Sequence, residues 1–119
     1  MSNKLHPKLT VQFYTEEKCF GPGVATLLSL IEEHHSLRAA SMSISMAYSK
    51  AWTIVKNAEK ELGFPLLRST TGGKSGGGAE LTEEAKRLLA DFQSYSDELK
   101  AQANRLFAER FAWMSEKTE

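Results

Sequence analysis

Residues 36–62, SLRAASMSISMAYSKAWTIVKNAEKEL, decide how the rest of the chain is read. They divide into two helices joined by a tight turn. The spacing predicts a short helix over about 37–43, whose Ala39 and Ala40 leave room for another helix to cross closely. The turn falls at Ile44-Ser45-Met46. The second helix runs over about 47–62 and stops at Gly63, with Pro65 just beyond, a common pair of stop signals. At 3.6 residues per turn, Ala51, Ile54, Val55, Ala58 and Leu62 gather on one side. Ser49, Thr53, Lys56 and Lys60 gather on the other, flanked by Lys50 and Asn57, with Tyr48 and Trp52 at the boundary. Short polar groups for base edges and lysines for phosphates are what a helix in a DNA major groove needs. A solvated face of an ordinary helical protein carries the same residues, and the helix pair alone does not separate the two readings.

The segment after Gly63 does. Leu66 to Thr70 reads as a strand, and Ala79 to Leu81 as its return. Between them lies TGGKSGGG, with five glycines at positions 72–78. Two short strands and a long tip make a hairpin, and directly after a helix pair such a hairpin is a wing. Gly73-Lys74-Ser75 matches the end of a phosphate-binding P-loop, but that motif needs glycine at position 68, which is Arg, and a helix straight after the Lys-Ser. Neither condition is met. The tip still suits phosphate, because glycines free backbone N–H groups and Lys74 and Arg68 add charge.

Charge is distributed to match. The 119-residue chain carries 15 basic and 15 acidic side chains, so its formal net charge is zero. Residues 36–79 hold six Lys/Arg and two acids, which leaves the remainder net acidic by four. A local basic surface attracts phosphate within a Debye length of roughly 8 Å even on a neutral body. The length suits one domain with one modest core. A single cysteine, Cys19, excludes an internal disulfide, reads as an inert small hydrophobe and fits a reducing cytoplasm. No stretch approaches the roughly 20 apolar residues of a membrane span, and the N-terminus lacks a signal-peptide core.

On either side of this centre the pattern continues. Lys8 to Tyr14 alternates apolar and polar, which predicts a half-buried strand; Thr15 to Lys18 reads as loop. Gly21-Pro22-Gly23 precedes a helix over about 24–34, with Val24, Leu27, Leu28, Leu30 and Ile31 facing a core. His34 and His35 suit the dipole at its end. Adjacent histidines point apart and no other ligand keeps a metal spacing with them, so no metal is expected. Ser36 is placed to cap the next helix.

Thr82 caps a final helix, with Glu83 and Glu84 in its first turn, predicted to run to about Met114. Such a helix is on the order of 45–50 Å long, more than a domain this size can cover. Ala85, Phe92, Leu99, Leu106 and Trp113 recur every seven residues, a helix-pairing spacing. Phe107 and Phe111 widen the stripe, while Gln102 and Glu109 interrupt it. The far end is expected to pack against a second copy.

These features together resemble the N-terminal DNA-binding domain of the ModE-type molybdate-responsive regulators, related to the LysR-type winged helices. The matching residues are Phe20-Gly21-Pro22-Gly23, Leu27-Leu28 and Ile31, His35-Ser36-Leu37 with Ala39-Ala40, Tyr48-Ser49, Ala51-Trp52 and Pro65-Leu66. Most specific are Thr71-Gly72-Gly73-Lys74 and Gly76-Gly77-Gly78-Ala79 with Leu81-Thr82. The resemblance covers roughly residues 8–100. It implies a winged helix-turn-helix that dimerises through its first and last helices and controls promoters. Full-length family members also carry C-terminal molybdate-binding domains; with this sequence ending at Glu119, none is expected here. Their turn is usually Gly-Met-Ser or Gly-Ile-Ser. Here it is Ser45-Met46-Ala47, which removes the helix cap and a phosphate contact.

The expected fold is therefore mainly α with a small β-hairpin: a winged helix-turn-helix over 8–82, then a long dimerisation helix over 83–115. The expected function is a sequence-specific, cytoplasmic transcription regulator that binds double-stranded DNA as a homodimer. Candidate DNA contacts are Tyr48, Ser49, Lys50 and Thr53 near bases, Lys56, Asn57 and Arg38 near the backbone, and Arg68, Lys74 and Ser75 on the wing. Candidate dimer residues are Leu27, Phe92, Leu99, Leu106, Phe107 and Trp113. No catalysis, cofactor, metal or membrane is expected, nor molybdate binding by this chain. A protein-interaction module that kept the fold and lost DNA binding is the open alternative.

Overall fold

Gly21 and Pro22 set the start of the helix on which everything else packs. Gly21 is extended and Pro22 takes the first helical position, where its missing N–H costs nothing. The computed structural model describes residues 4–70 and 78–115. In chain order it has β1 (Phe13–Tyr14), β2 (Lys18–Phe20), α1 (Pro22–His34), α2 (Leu37–Ser43), α3 (Tyr48–Leu62), β3 (Leu67–Thr70), β4 (Gly78–Leu81), α4 (Glu83–Arg110) and α5 (Ala112–Ser115).

Helix α1 buries Val24, Ala25, Leu27, Leu28 and Ile31. Around it close Leu37 and Ala40 of α2, Ala51, Val55 and Ala58 of α3, Leu66 and Leu81 at the base of the hairpin, and Ala85 and Phe92 of α4. The small residues on α2 and α3 let these helices approach, as their spacing predicts. Helix α1 ends on His35, which is left-handed at φ 59° and donates its N–H to the Ile31 carbonyl. The His35 carbonyl then accepts from Ala79 N–H at 3.0 Å, which docks the wing strand on the end of α1.

Thr82 joins the hairpin to α4. Its Oγ1 accepts from Ala85 N–H at 3.1 Å and its hydroxyl donates to the Pro65 carbonyl at 2.8 Å. Its own N–H donates to the Leu66 carbonyl at 3.0 Å. The strands pair antiparallel, Leu67 opposite Leu81 and Thr70 opposite Gly78.

Three differences from the sequence reading stand out. The alternating run 8–14 is strand only at Phe13–Tyr14, and Lys18–Phe20, read partly as loop, is its partner. A three-residue neighbour offers few rungs, so the earlier alternating residues find no ladder. Pairing Phe13 with Phe20 instead creates an aromatic cluster with Phe92, at centroid distances of 6.0 Å, 5.4 Å and 4.9 Å. Second, Leu27 and Phe92, expected to face a second copy, lie in the core of the single chain. Leu27 is 0% exposed and Phe92 5%, both enclosed by their own chain. Third, the last helix breaks at Phe111, whose φ of −114° is not helical, and resumes for one turn.

Beyond this core α4 projects. It has 28 residues, hence a length of about 42 Å. The radius of gyration is 18.6 Å, against about 13.5 Å for a compact chain of this size. The N-terminal segment lies beside the projecting part: Leu5 and Pro7 border a groove with Asn104, Phe107 and Phe111.

Candidate nucleic-acid interface

The turn between α2 and α3 orients the exposed face. Ser36 caps α2 by accepting from Ala39 N–H at 3.0 Å. Ser41 is fully buried, and its carbonyl accepts from Ile44 and Met46 N–H groups, which closes the turn. Ser45 sits in the turn at φ 55°, in the left-handed region, where a Cβ is strained. Ala47, at the cap position of α3, offers no side-chain acceptor to the helix N–H groups. Both departures from the usual turn therefore have a physical cost. Ser45→Gly and Ala47→Ser are each expected to stabilise the fold by about 0.5–1 kcal/mol. Urea denaturation should show both as a raised midpoint with an unchanged slope.

From this start α3 presents Tyr48, Ser49, Lys50, Trp52, Thr53, Lys56 and Asn57 to solvent. No carboxylate lies among them. Arg38, on α2, places its guanidinium 4.4 Å from the centre of the Tyr48 ring. Lys56 Nζ lies 5.6 Å from the Trp52 ring centre. Two aromatic faces thus carry two cations, an attraction of ring quadrupole and charge.

The far end of α3 is braced by a carboxylate that the sequence reading passed over. Glu59 Oε2 accepts from Leu66 N–H at 2.7 Å and Leu67 N–H at 3.3 Å, while Oε1 meets Lys56 Nζ at 3.3 Å. Its two backbone bonds fix where β3 leaves the helix, and so the angle between α3 and the wing. A cleft of about 420 Å³ lies between them, bordered by Arg38, Tyr48, Trp52, Lys56, Ser69 and Ala79.

Arg68 is exposed on β3, opposite Glu80 on β4, and its Nε–H donates to Glu80 Oε2 at 2.8 Å. This ion-paired hydrogen bond holds the Glu80 carboxyl below its ordinary range and raises the Arg68 guanidinium. The cross-strand register places the pair, twelve residues apart in the chain. Lys74 and Ser75 lie outside the described residues. Of the other predicted contacts, Arg38, Tyr48 and Lys56 come together at the cleft beside the hairpin, while Ser49, Lys50, Thr53 and Asn57 are exposed on α3 outside its lining.

Among the described residues no three His, Cys, Asp or Glu side chains gather as a metal site, and no helix is long and apolar enough to cross a membrane. A short helix, a turn, an exposed second helix and a following antiparallel hairpin define a winged helix-turn-helix. The chain belongs to the bacterial regulatory helix-turn-helix proteins of the lysR family, whose profile matches residues 25–86. It is 38% identical over 68 residues to the transcriptional regulator ModE of Haemophilus influenzae, covering 57% of this chain and 27% of that protein. It is 29% identical over 80 residues to the molybdenum transport protein ModE of Azotobacter vinelandii, covering 67% and 30%. It is 35% identical over 66 residues to the molybdenum-pterin-binding protein MopB of Rhodobacter capsulatus, covering 56% and 24%. The matches thus span no more than 30% of the length of these curated relatives.

Proposed function

We propose that this chain is a sequence-specific, ModE-like DNA-binding transcription regulator that acts in the cytoplasm as a homodimer. One observation carries the reading: the centre of the exposed face of α3, at Ser49, Thr53, Lys56 and Lys60, holds hydroxyls and lysines and no carboxylate, and a hairpin follows the helix. Residues 8–82 form the DNA-binding unit and 83–115 the dimerisation helix. Tyr48, Ser49, Lys50 and Thr53 approach bases in the major groove. Arg38, Lys56 and Asn57 approach the sugar–phosphate backbone, and Arg68, Lys74 and Ser75 serve the wing. The chain carries out no catalysis and needs no cofactor. These residues supply no metalate site, so molybdate is expected neither to raise the melting temperature nor to give heat in calorimetry.

The test is binding to duplexes from the protein's own upstream region over a salt series. The affinity should fall steeply with salt, and its logarithm linearly with log salt. Glu80→Gln should tighten binding several-fold and steepen that dependence, because it releases Arg68 and removes a carboxylate beside the wing. The wild-type pair should persist at mildly acidic pH, since Glu80 titrates below the usual carboxylate range. The uncapped start of α3 at Ala47 favours the second reading, a winged-helix interaction module without DNA affinity. A salt-insensitive wild type with no duplex affinity would establish that reading instead.

A further inference from the structure

We infer that Trp52 is itself a nucleic-acid contact: an apolar wall for the deoxyribose of the DNA strand that passes between α3 and the wing. This rests on the DNA-binding reading above. Trp52 is 48% exposed and Tyr48 39%, one turn apart on a face otherwise made of polar and charged groups. Leaving an indole half in water forfeits part of the stabilisation that burial of a large apolar side chain brings. The chain's own core does not claim this ring, although Val55, on the same helix, is buried.

The cleft beside the indole has a particular composition. Its lining mixes apolar Val55, Leu67 and Ala79 with Ser36 and Ser69. Arg38 borders it near Tyr48 and Lys56 near Trp52, and no carboxylate lines it. Two cations flanking an apolar surface match the alternation of phosphate, sugar and phosphate along one strand. The cleft is open, so a continuous chain can pass through it. The cation–π contacts hold Arg38 and Lys56 at its borders, where phosphates on either side of the sugar would lie. Trp52 then faces the carbon edge of the deoxyribose.

The experiment compares wild type, Trp52→Ala, Trp52→Phe and Trp52→Lys on one specific duplex over a salt series, with melting temperatures as the folding check. Trp52→Ala is expected to weaken binding about tenfold or more with an unchanged salt slope, because an apolar contact releases no counterion. Trp52→Phe should retain most of the affinity. Trp52→Lys should bind more weakly than wild type despite its added charge. Should the Ala variant melt early, the Phe and Lys variants carry the comparison. Unchanged affinity in Trp52→Ala, or tighter binding by Trp52→Lys, overturns the inference while leaving DNA binding intact. So does a slope reduced by about 0.9, which would mean that Trp52 acts only through Lys56. Replacing every thymine of the duplex by uracil separates sugar from base. If the difference between wild type and Trp52→Ala persists, the contact is to sugar; if it vanishes, the ring touches thymine methyls and the sugar assignment falls. No salt-dependent binding by the wild type to any duplex overturns both the inference and the reading beneath it.

Discussion

Replacing Lys50, Lys56 and Lys74 together by Ala is expected to flatten the salt dependence of DNA binding by about 2.7 in the slope of log K against log salt, at about 0.9 per lost phosphate contact. Between 50 and 200 mM salt the wild type should then lose roughly 40-fold more affinity than the variant does. The two proteins should differ most at low salt and converge as salt rises. Lys50 and Lys56 are both exposed on α3, so their removal takes nothing from the core. Lys56 has a second partner in Glu59, itself anchored by two backbone N–H groups. Half of the Lys56 side chain stays exposed beside the cleft, so the pair leaves it able to meet a phosphate. A variant that weakens uniformly while keeping the wild-type slope would mean that these lysines do not meet phosphates.

The parts legible in the sequence are those where one local rule decides. The end of α3 at Gly63 follows from a left-handed cap, at φ 88°, that glycine adopts most easily. Thr82 as the start of α4, and Ser36 as the start of α2, follow from side-chain acceptors aimed at nearby N–H groups. The apolar side of α3 followed from period alone, and Ala51, Val55 and Ala58 are buried. The exposed character of Ser49, Lys50, Thr53, Lys56 and Asn57 followed from the same period.

What was not legible depends on partners distant in the chain. Lys18-Cys19-Phe20 has too little pattern to announce a strand; it becomes one because Phe13 and Phe92 gather around Phe20. Glu59 looks like one more surface carboxylate on a helix until the chain turns at Pro65 and brings two backbone N–H groups to it. Arg68 reads as a free wing cation until the register sets Glu80 opposite. The family's mode of dimerisation, through its first and last helices, points Leu27 toward an interface. Its place in the helix period points it to the core, and it is buried there with Leu28 and Ile31. Phe92 lies on the seven-residue stripe, but the stripe changes role along α4. Its first turns close the domain, and only its later turns are left to face outward.

Those later turns carry the second large prediction. Past Leu99, which is half-buried, Leu106 is 45% exposed, Phe111 46% and Trp113 55%. Phe107 is half-buried and borders, with Phe111, the groove along the N-terminal segment. Exposed apolar residues gathered at one end of a projecting helix mark an interaction surface more often than solvated surface. A two-fold arrangement would bury the same residues on both copies and set two α3 helices on one side, for half-sites about one DNA turn, roughly 34 Å, or more apart. The wild type is therefore expected to sediment as a dimer at micromolar concentration. Leu106→Lys with Trp113→Lys should sediment as a monomer, because four like charges would then meet across the two-fold interface. Both positions are exposed in the single chain, so the variant should keep its helical signal, unlike Leu27→Ala, which should cost about 2–5 kcal/mol by opening a cavity in the core. Its DNA affinity should fall toward that of one half-site and lose its dependence on half-site spacing. A monomeric wild type would remove the dimer and the paired half-sites together, while leaving the α3 surface to bind a single half-site.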